Sequence, residues 1–212
     1  MKTGWFVTVE GAEGAGKTTA MRAIEAELGE SAVPVELTRE PGGTPLSEEI
    51  REILLDPRWS GMHPDTELLL MFAARAEHVH RRILPALGRG RWVVSDRFTD
   101  ATYAYQGGGR GIEGERIEAL ERWALGDFRP DRTLLLDLPV EVGLLRAHGR
   151  SAPDRFERED RAFFERVRAA YLERARREPE RFVCIDAAAA LEEVAARVRR
   201  VVRDWVEAWR GP

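Results

Sequence analysis

The sequence predicts an α/β fold, a five-stranded parallel sheet flanked by helices in three layers. Three observations predict it. Short apolar runs alternate with segments of helical periodicity, those runs are apolar almost throughout, and 212 residues are enough to enclose one core. Phe6-Val7-Thr8-Val9-Glu10 reads as the first strand, followed by a glycine-rich turn and a helix from about Lys17 to Leu28. Pro34-Val35-Glu36-Leu37 reads as the second strand, and a helix follows from about Ser47 to Leu55. A longer helix, about Asp65 to Leu87, carries Leu68, Leu69, Phe72, Val79, Ile83 and Leu87 at helical spacing. Trp92-Val93-Val94-Ser95, Thr133-Leu134-Leu135-Leu136 and Phe182-Val183-Cys184-Ile185 supply the remaining strands. The last helix, about Leu191 to Trp209, presents Leu191, Val194, Val198, Val201, Trp205 and Trp209 along one stripe. No linker divides the chain, so residues 1–212 read as one domain.

Composition narrows the function. With 43% hydrophobic and 33% charged residues, the balance is that of a soluble globular protein. No apolar run approaches the ~20 residues of a spanning helix, and the first residues lack a signal-peptide pattern. A cytoplasmic protein with no membrane partner is the expectation. The single cysteine, Cys184, cannot form an internal disulfide, and its flanks Val183 and Ile185 predict a buried strand residue. A net charge of −4 argues against nucleic-acid binding. The 33 basic residues include only two lysines, Lys2 and Lys17. Arginine is used almost everywhere else, which hints that position 17 needs an ammonium.

Position 17 falls in Gly11-Ala12-Glu13-Gly14-Ala15-Gly16-Lys17-Thr18, a full match to G-x-x-x-x-G-K-[ST] between a predicted strand and a predicted helix. Small residues let successive backbone N–H groups turn inward around a phosphate, and the helix N-terminus adds partial positive charge. Lys17 can reach the outer phosphates of a nucleoside triphosphate, and the Thr18 hydroxyl can ligate Mg²⁺. Thr19 continues this cofactor-binding segment. The fold class is thus a P-loop NTPase. Neither lysine follows an asparagine, so the Asn-Lys-x-Asp motif of guanine readers is absent, and ATP is the expected donor. At the end of the third strand, Asp96-Arg97-Phe98 offers a carboxylate able to orient Mg²⁺ or water beside Thr18. The adjacent arginine can bridge donor and acceptor phosphates.

Four segments in order resemble the bacterial thymidylate kinases. They are Glu13-Gly14-Ala15-Gly16-Lys17-Thr18-Thr19, Thr38-Arg39-Glu40-Pro41-Gly42-Gly43, Asp96-Arg97-Phe98 and Asp100-Ala101-Thr102-Tyr103-Ala104-Tyr105-Gln106-Gly107. The resemblance implies transfer of the ATP γ-phosphate to dTMP. It places Arg39 and Pro41 beside the substrate, and Arg51 and Arg97 on its phosphate. It makes Arg75 a hydrogen-bond donor to the thymine edge, with Thr102 and Gln106 also against the pyrimidine and Tyr105 over the sugar. The family places an aromatic four residues before that arginine. Here position 71 is methionine, so either Met71 packs on the base or Phe72 does. Glu13 is implied to bind the sugar 3′-hydroxyl or to orient waters near the acceptor.

Some members carry a catalytic arginine directly after the P-loop acid, where this chain has Gly14. The resemblance then moves that charge to a small arginine-rich lid at about residues 146–160. Arg155, in Asp154-Arg155-Phe156-Glu157, is its leading candidate, and Arg150 the second. The remaining arginines between Arg146 and Arg181 read mostly as a solvated helix face. A homodimer is implied as well. Two other readings stand beside this one, a P-loop deoxynucleotide or deoxynucleoside kinase and a nucleotide-binding ATPase module.

Overall fold

The computed structural model describes residues 4–147 and 154–211. Five strands form one parallel sheet: β1 (Phe6–Glu10), β2 (Val35–Arg39), β3 (Trp92–Asp96), β4 (Arg132–Asp137) and β5 (Phe182–Asp186). Their order across the sheet is β2-β3-β1-β4-β5. The register brings Val9 opposite both Asp96 and Leu134, so β1 and β3 end side by side. The helices are α1 (Lys17–Glu30), α2 (Pro45–Leu55), α3 (Pro64–His78), α4 (Leu84–Gly88), α5 (Thr99–Thr102), α6 (Gly114–Leu125), α7 (Val140–Ala147), α8 (Arg161–Arg177) and α9 (Leu191–Arg210).

Period-2 alternation along each strand assigns the two faces of the sheet. Val7 and Val9 of β1, Val94 of β3 and Leu134 and Leu136 of β4 pack against α1 and α9. Phe6 and Val93 face the other way, with Val79, Ile83 and Ala86, while Leu135 meets Phe163, Phe164 and Tyr171 of α8. The expected three layers follow from this division. The stripe of α9 is rotated slightly from the sequence reading: Val194, Val198, Val202, Trp205 and Val206 are buried, whereas Leu191 is 50% exposed.

The long helix expected at 65–87 is interrupted. α3 ends at His78, a π-helical turn spans Val79–Ile83, and α4 carries Pro85 in its first turn. Proline has no N–H and its ring crowds the carbonyl four residues back, so the wider turn just before it relieves that conflict. A second π-helical stretch, Tyr103–Gly109, follows α5. Cys184 is exposed rather than buried, because β5 is an edge strand paired only with β4. α8 is the expected solvated face only in part: Arg161, Arg166, Arg176 and Arg177 are exposed. It buries four apolar or aromatic side chains, and its Arg168 and Arg174 reach Asp137 and Asp100.

Candidate active site

The carboxyl ends of β1 and β3 open onto a cleft of about 270 Å³. Ligands of open α/β sheets bind at such ends. One wall is the P-loop, where Gly14 (φ 73°) and Gly16 (φ 86°) adopt left-handed backbone that a side chain would strain. Gly14 has a second constraint. A Cβ there would lie 2.0 Å from the carbonyl oxygen of Gly143 on α7, so no arginine fits without displacing that helix. Lys17 Nζ donates to the carbonyls of Gly11 (3.2 Å) and Ala12 (3.3 Å). Burial and the nearby Arg97 guanidinium both lower the Lys17 pKa. Gly16 and Thr18 line the cleft, while Thr19 is the next residue into α1 and does not.

Beside the P-loop the cleft wall is cationic. Arg97 is a non-glycine residue at φ 70°, a conformation that L side chains adopt reluctantly, held by its N–H to the Val9 carbonyl (3.0 Å). Its Nη2 donates to Glu13 Oε1 (2.5 Å) and to the Tyr105 hydroxyl (3.0 Å), and its charge lies over the Tyr105 ring. Burial would raise the Glu13 carboxyl, but Arg97 and then Lys17 outweigh it and hold the pKa at about 2. Arg51 donates to the Pro41 carbonyl (2.8 Å). Its pKa is lowered by burial, and further by Arg39 and Arg97. Three guanidiniums that repel one another at a cleft wall form an anion-binding surface.

Met71, Arg75, Thr102, Tyr105 and Gln106 line the same cleft. Arg75 Nε donates to Glu40 Oε2 (2.6 Å) and Nη2 to the Phe98 carbonyl (3.0 Å), while Nη1 is buried with no partner. A buried donor left over in this way is poised for a ligand acceptor. Met71 and Arg75 lie one helical turn apart on the cleft side of α3. Phe72 does not reach the cleft. It packs with Leu68, Ile112 and Ile117, so of the two only Met71 lines the cleft.

One expectation about the lid meets a different geometry. Arg155 is 2% exposed and does not line the cleft: its side chain turns under the fold, donating Nη1 to Glu67 Oε2 (2.5 Å) and Nε to the Leu54 carbonyl (2.8 Å). A buried guanidinium takes the nearest buried carboxylate, and Glu67 is that group. The cleft meets the neighbouring residues Asp154, Phe156 and Glu157 instead. Arg150 lies outside the described residues.

The geometry also contains groups that motif reading passed over. Glu40 joins Arg75 to His78, whose second ring nitrogen is 2.7 Å from Thr38 Oγ1. Glu10 is fully buried, accepting from Phe98 N and lying 2.9 Å from the Tyr171 hydroxyl. Asp100 holds Arg174 and Arg181. A signal was present for Glu67: with Ala74, Arg75 and His78 it recurs on one face of an otherwise apolar helix, where unpaired charge would be too costly to bury.

A phosphate cradle, a cationic wall beside it and an arginine with a free buried donor are combined in one cleft, and comparison with known proteins gives the family. The family model described as Thymidylate kinase matches residues 9–198. The chain belongs to the thymidylate kinase family. It is 57% identical over 209 residues to the thymidylate kinase of Pseudomonas syringae pv. tomato, covering 99% of this chain and 100% of that protein. It is 58% identical over 206 residues to a thymidylate kinase of Pseudomonas putida, covering 97% and 100%. Among solved structures, the thymidylate kinase of Ehrlichia chaffeensis superposes with a TM-score of 0.76 at 32% identity, covering 95% of this chain and 99% of that one. Membership of the thymidylate kinase family makes the chain a nucleoside monophosphate kinase. It also accounts for a cleft that places an anion site beside a P-loop.

Proposed function

We propose that the chain transfers the γ-phosphate of ATP to dTMP, giving dTDP and ADP in the supply of DNA precursors. The observation that carries the reading is a single cleft lined by the P-loop, by Arg39, Arg51 and Arg97, and by Arg75 with its unpartnered Nη1. Phosphoryl transfer needs positioning and charge neutralisation more than covalent chemistry. Lys17 supplies charge to the transferring phosphate. Arg51 and Arg97 hold the acceptor phosphate, and the ionised Glu13 keeps Arg97 aimed while meeting the sugar hydroxyl or ordered water. Tyr105 closes the sugar side, Met71 packs on the base, and Arg75, Thr102 and Gln106 read its edge.

The Thr18 hydroxyl and the Asp96 carboxylate both line the cleft and would hold Mg²⁺. Among the described residues no cluster of three or more His, Cys, Asp or Glu suits a metal. Two protein oxygens fit an ion that retains water and phosphate ligands. When bound, Mg²⁺ neutralises charge on the phosphate oxygens. With Gly14 closed to a side chain, the transition-state arginine comes from the lid at about residues 146–160, and Arg150 takes the role first assigned to Arg155.

Exposed apolar side chains on and between α2 and α3, Ile53 and Trp59 among them, support a homodimer through that face. No helix among the described residues is long and apolar enough to cross a membrane, in keeping with a cytoplasmic site of action. ADP release, measured across a panel of nucleoside monophosphates, tests the substrate. Strict dependence on dTMP is expected. Activity with AMP or dCMP but not dTMP would overturn the acceptor while sparing the P-loop reading, and acceptor-independent hydrolysis would favour an ATPase module.

A further inference from the structure

Glu67 sits at the centre of a buried polar cluster beneath the base-reading part of the cleft. It is fully buried, and its carboxylate receives three donors. Oε1 accepts from Gln106 Nε2 (2.8 Å) and Arg110 Nε (3.3 Å), and Oε2 accepts from Arg155 Nη1 (2.5 Å). A carboxylate held by two guanidiniums can only accept. The Gln106 amide therefore has one permitted orientation, with Nε2 toward Glu67. Its other end, Oε1, is the group left to meet a ligand in the cleft that Gln106 lines.

We propose that Glu67 is a positioning residue that locks the Gln106 amide with its oxygen toward the base, and so selects thymine over cytosine. The inference rests on the thymidylate reading of the cleft. With Gln106 fixed as an acceptor and Arg75 Nη1 as a donor, the protein presents a donor–acceptor pair. Thymine offers the complement, a 4-oxo acceptor beside an N3–H donor. Cytosine offers a 4-amino donor beside an N3 acceptor, which sets donor against donor and acceptor against acceptor. A site built to hydrogen-bond one edge rejects the other because its own buried groups are left unpaired. Arg155 thereby acquires a role at the root of the lid: it holds Glu67, and its neighbours Asp154, Phe156 and Glu157 form part of the cleft wall.

Glu67→Gln tests the lock. A carboxamide at 67 cannot offer oxygen to both Arg155 and Gln106. Arg110 keeps Glu159 (2.6 Å), whereas Arg155 has no second carboxylate among the described residues. The new oxygen goes to Arg155, the new NH₂ goes to Gln106, and the Gln106 amide turns to present Nε2 to the base. The ratio of kcat/KM for dTMP over dCMP is expected to fall by about tenfold or more, with the KM for ATP unchanged. A folded Glu67→Gln protein with the wild-type ratio would overturn the proposal. If that variant does not fold, Gln106→Met leaves Glu67 and its arginines in place but removes the amide. Loss of the ratio supports the proposal, and an unchanged ratio overturns it. A wild-type protein that phosphorylates other monophosphates but not dTMP would instead overturn the reading beneath it, which separates the two failures.

Discussion

Arg155 and Glu67 form a pair in which each is nearly or fully buried, at 2% and 0% side-chain exposure. Removing one partner of a buried ion pair leaves the other charge desolvated, which typically costs about 3–5 kcal/mol. Arg155→Ala is therefore expected to lose stability on that order in urea unfolding and to weaken dTMP binding through Glu67 and Gln106. A transition-state arginine would behave differently, costing ~10³ to 10⁵ in turnover with stability unchanged. Wild-type stability with such a loss of turnover would return Arg155 to the catalytic role. The sequence could not separate these outcomes, because Asp154-Arg155-Phe156-Glu157 gives the position of the arginine along the chain but not the direction of its side chain. Met71 and Phe72 illustrate the same limit. Both are apolar neighbours on α3, and only the packing of Ile112 and Ile117 against Phe72 decides which faces the cleft. Gly14 is the converse case: its residue type was legible, and the approach of Gly143 supplies the reason.

At the scale of elements, Glu10 ties three of them together. It ends β1, accepts from Phe98 N just beyond β3, and meets Tyr171 of α8. Burial and then Asp100 push its carboxyl from 4.5 up to about 8. Between those values the folded protein keeps a proton that the unfolded chain has lost, so this group makes stability fall as pH rises through the window and level off above it. Glu13 acts in the opposite sense at lower pH. Its folded pKa of about 2 contributes stability that is present above 4.5 and lost as pH falls toward 2. Glu10→Gln keeps the acceptor for Phe98 N and can donate to Tyr171. It should raise the melting temperature relative to wild type more above pH 8 than below pH 4.5. Equal gains at both ends would contradict the buried neutral acid. The strands were legible because sheet residues covered on both faces read as apolar runs. The π-helical turns at 79–83 and 103–109 were not, since a one-residue widening leaves local composition unchanged. The tertiary role of α8 was hidden by its arginines, whose partners Asp100 and Asp137 lie far away in sequence.

For the molecule as a whole, the sheet sets the order of parts: the P-loop follows β1, the Asp96-Arg97 corner follows β3, and the adjacency of those strands makes one cleft of them. The apolar surface beside α2 and α3 should carry the dimer contact. Ile53 and Trp59 line a shallow depression there with Met62 and Leu70, and Trp59 is 51% exposed. Sedimentation of the wild-type protein is expected to give a dimer and Trp59→Glu a monomer. A wild-type monomer at micromolar concentration would contradict the assignment of that surface. Transfer of a phosphoryl group from ATP to dTMP within this cleft can be followed with ATP labelled in its γ-phosphate. The label should pass into dTDP in step with ADP formation, only when dTMP is present, and not at all in a Lys17→Ala protein that melts like wild type. Label recovered as inorganic phosphate at a rate indifferent to dTMP would contradict it.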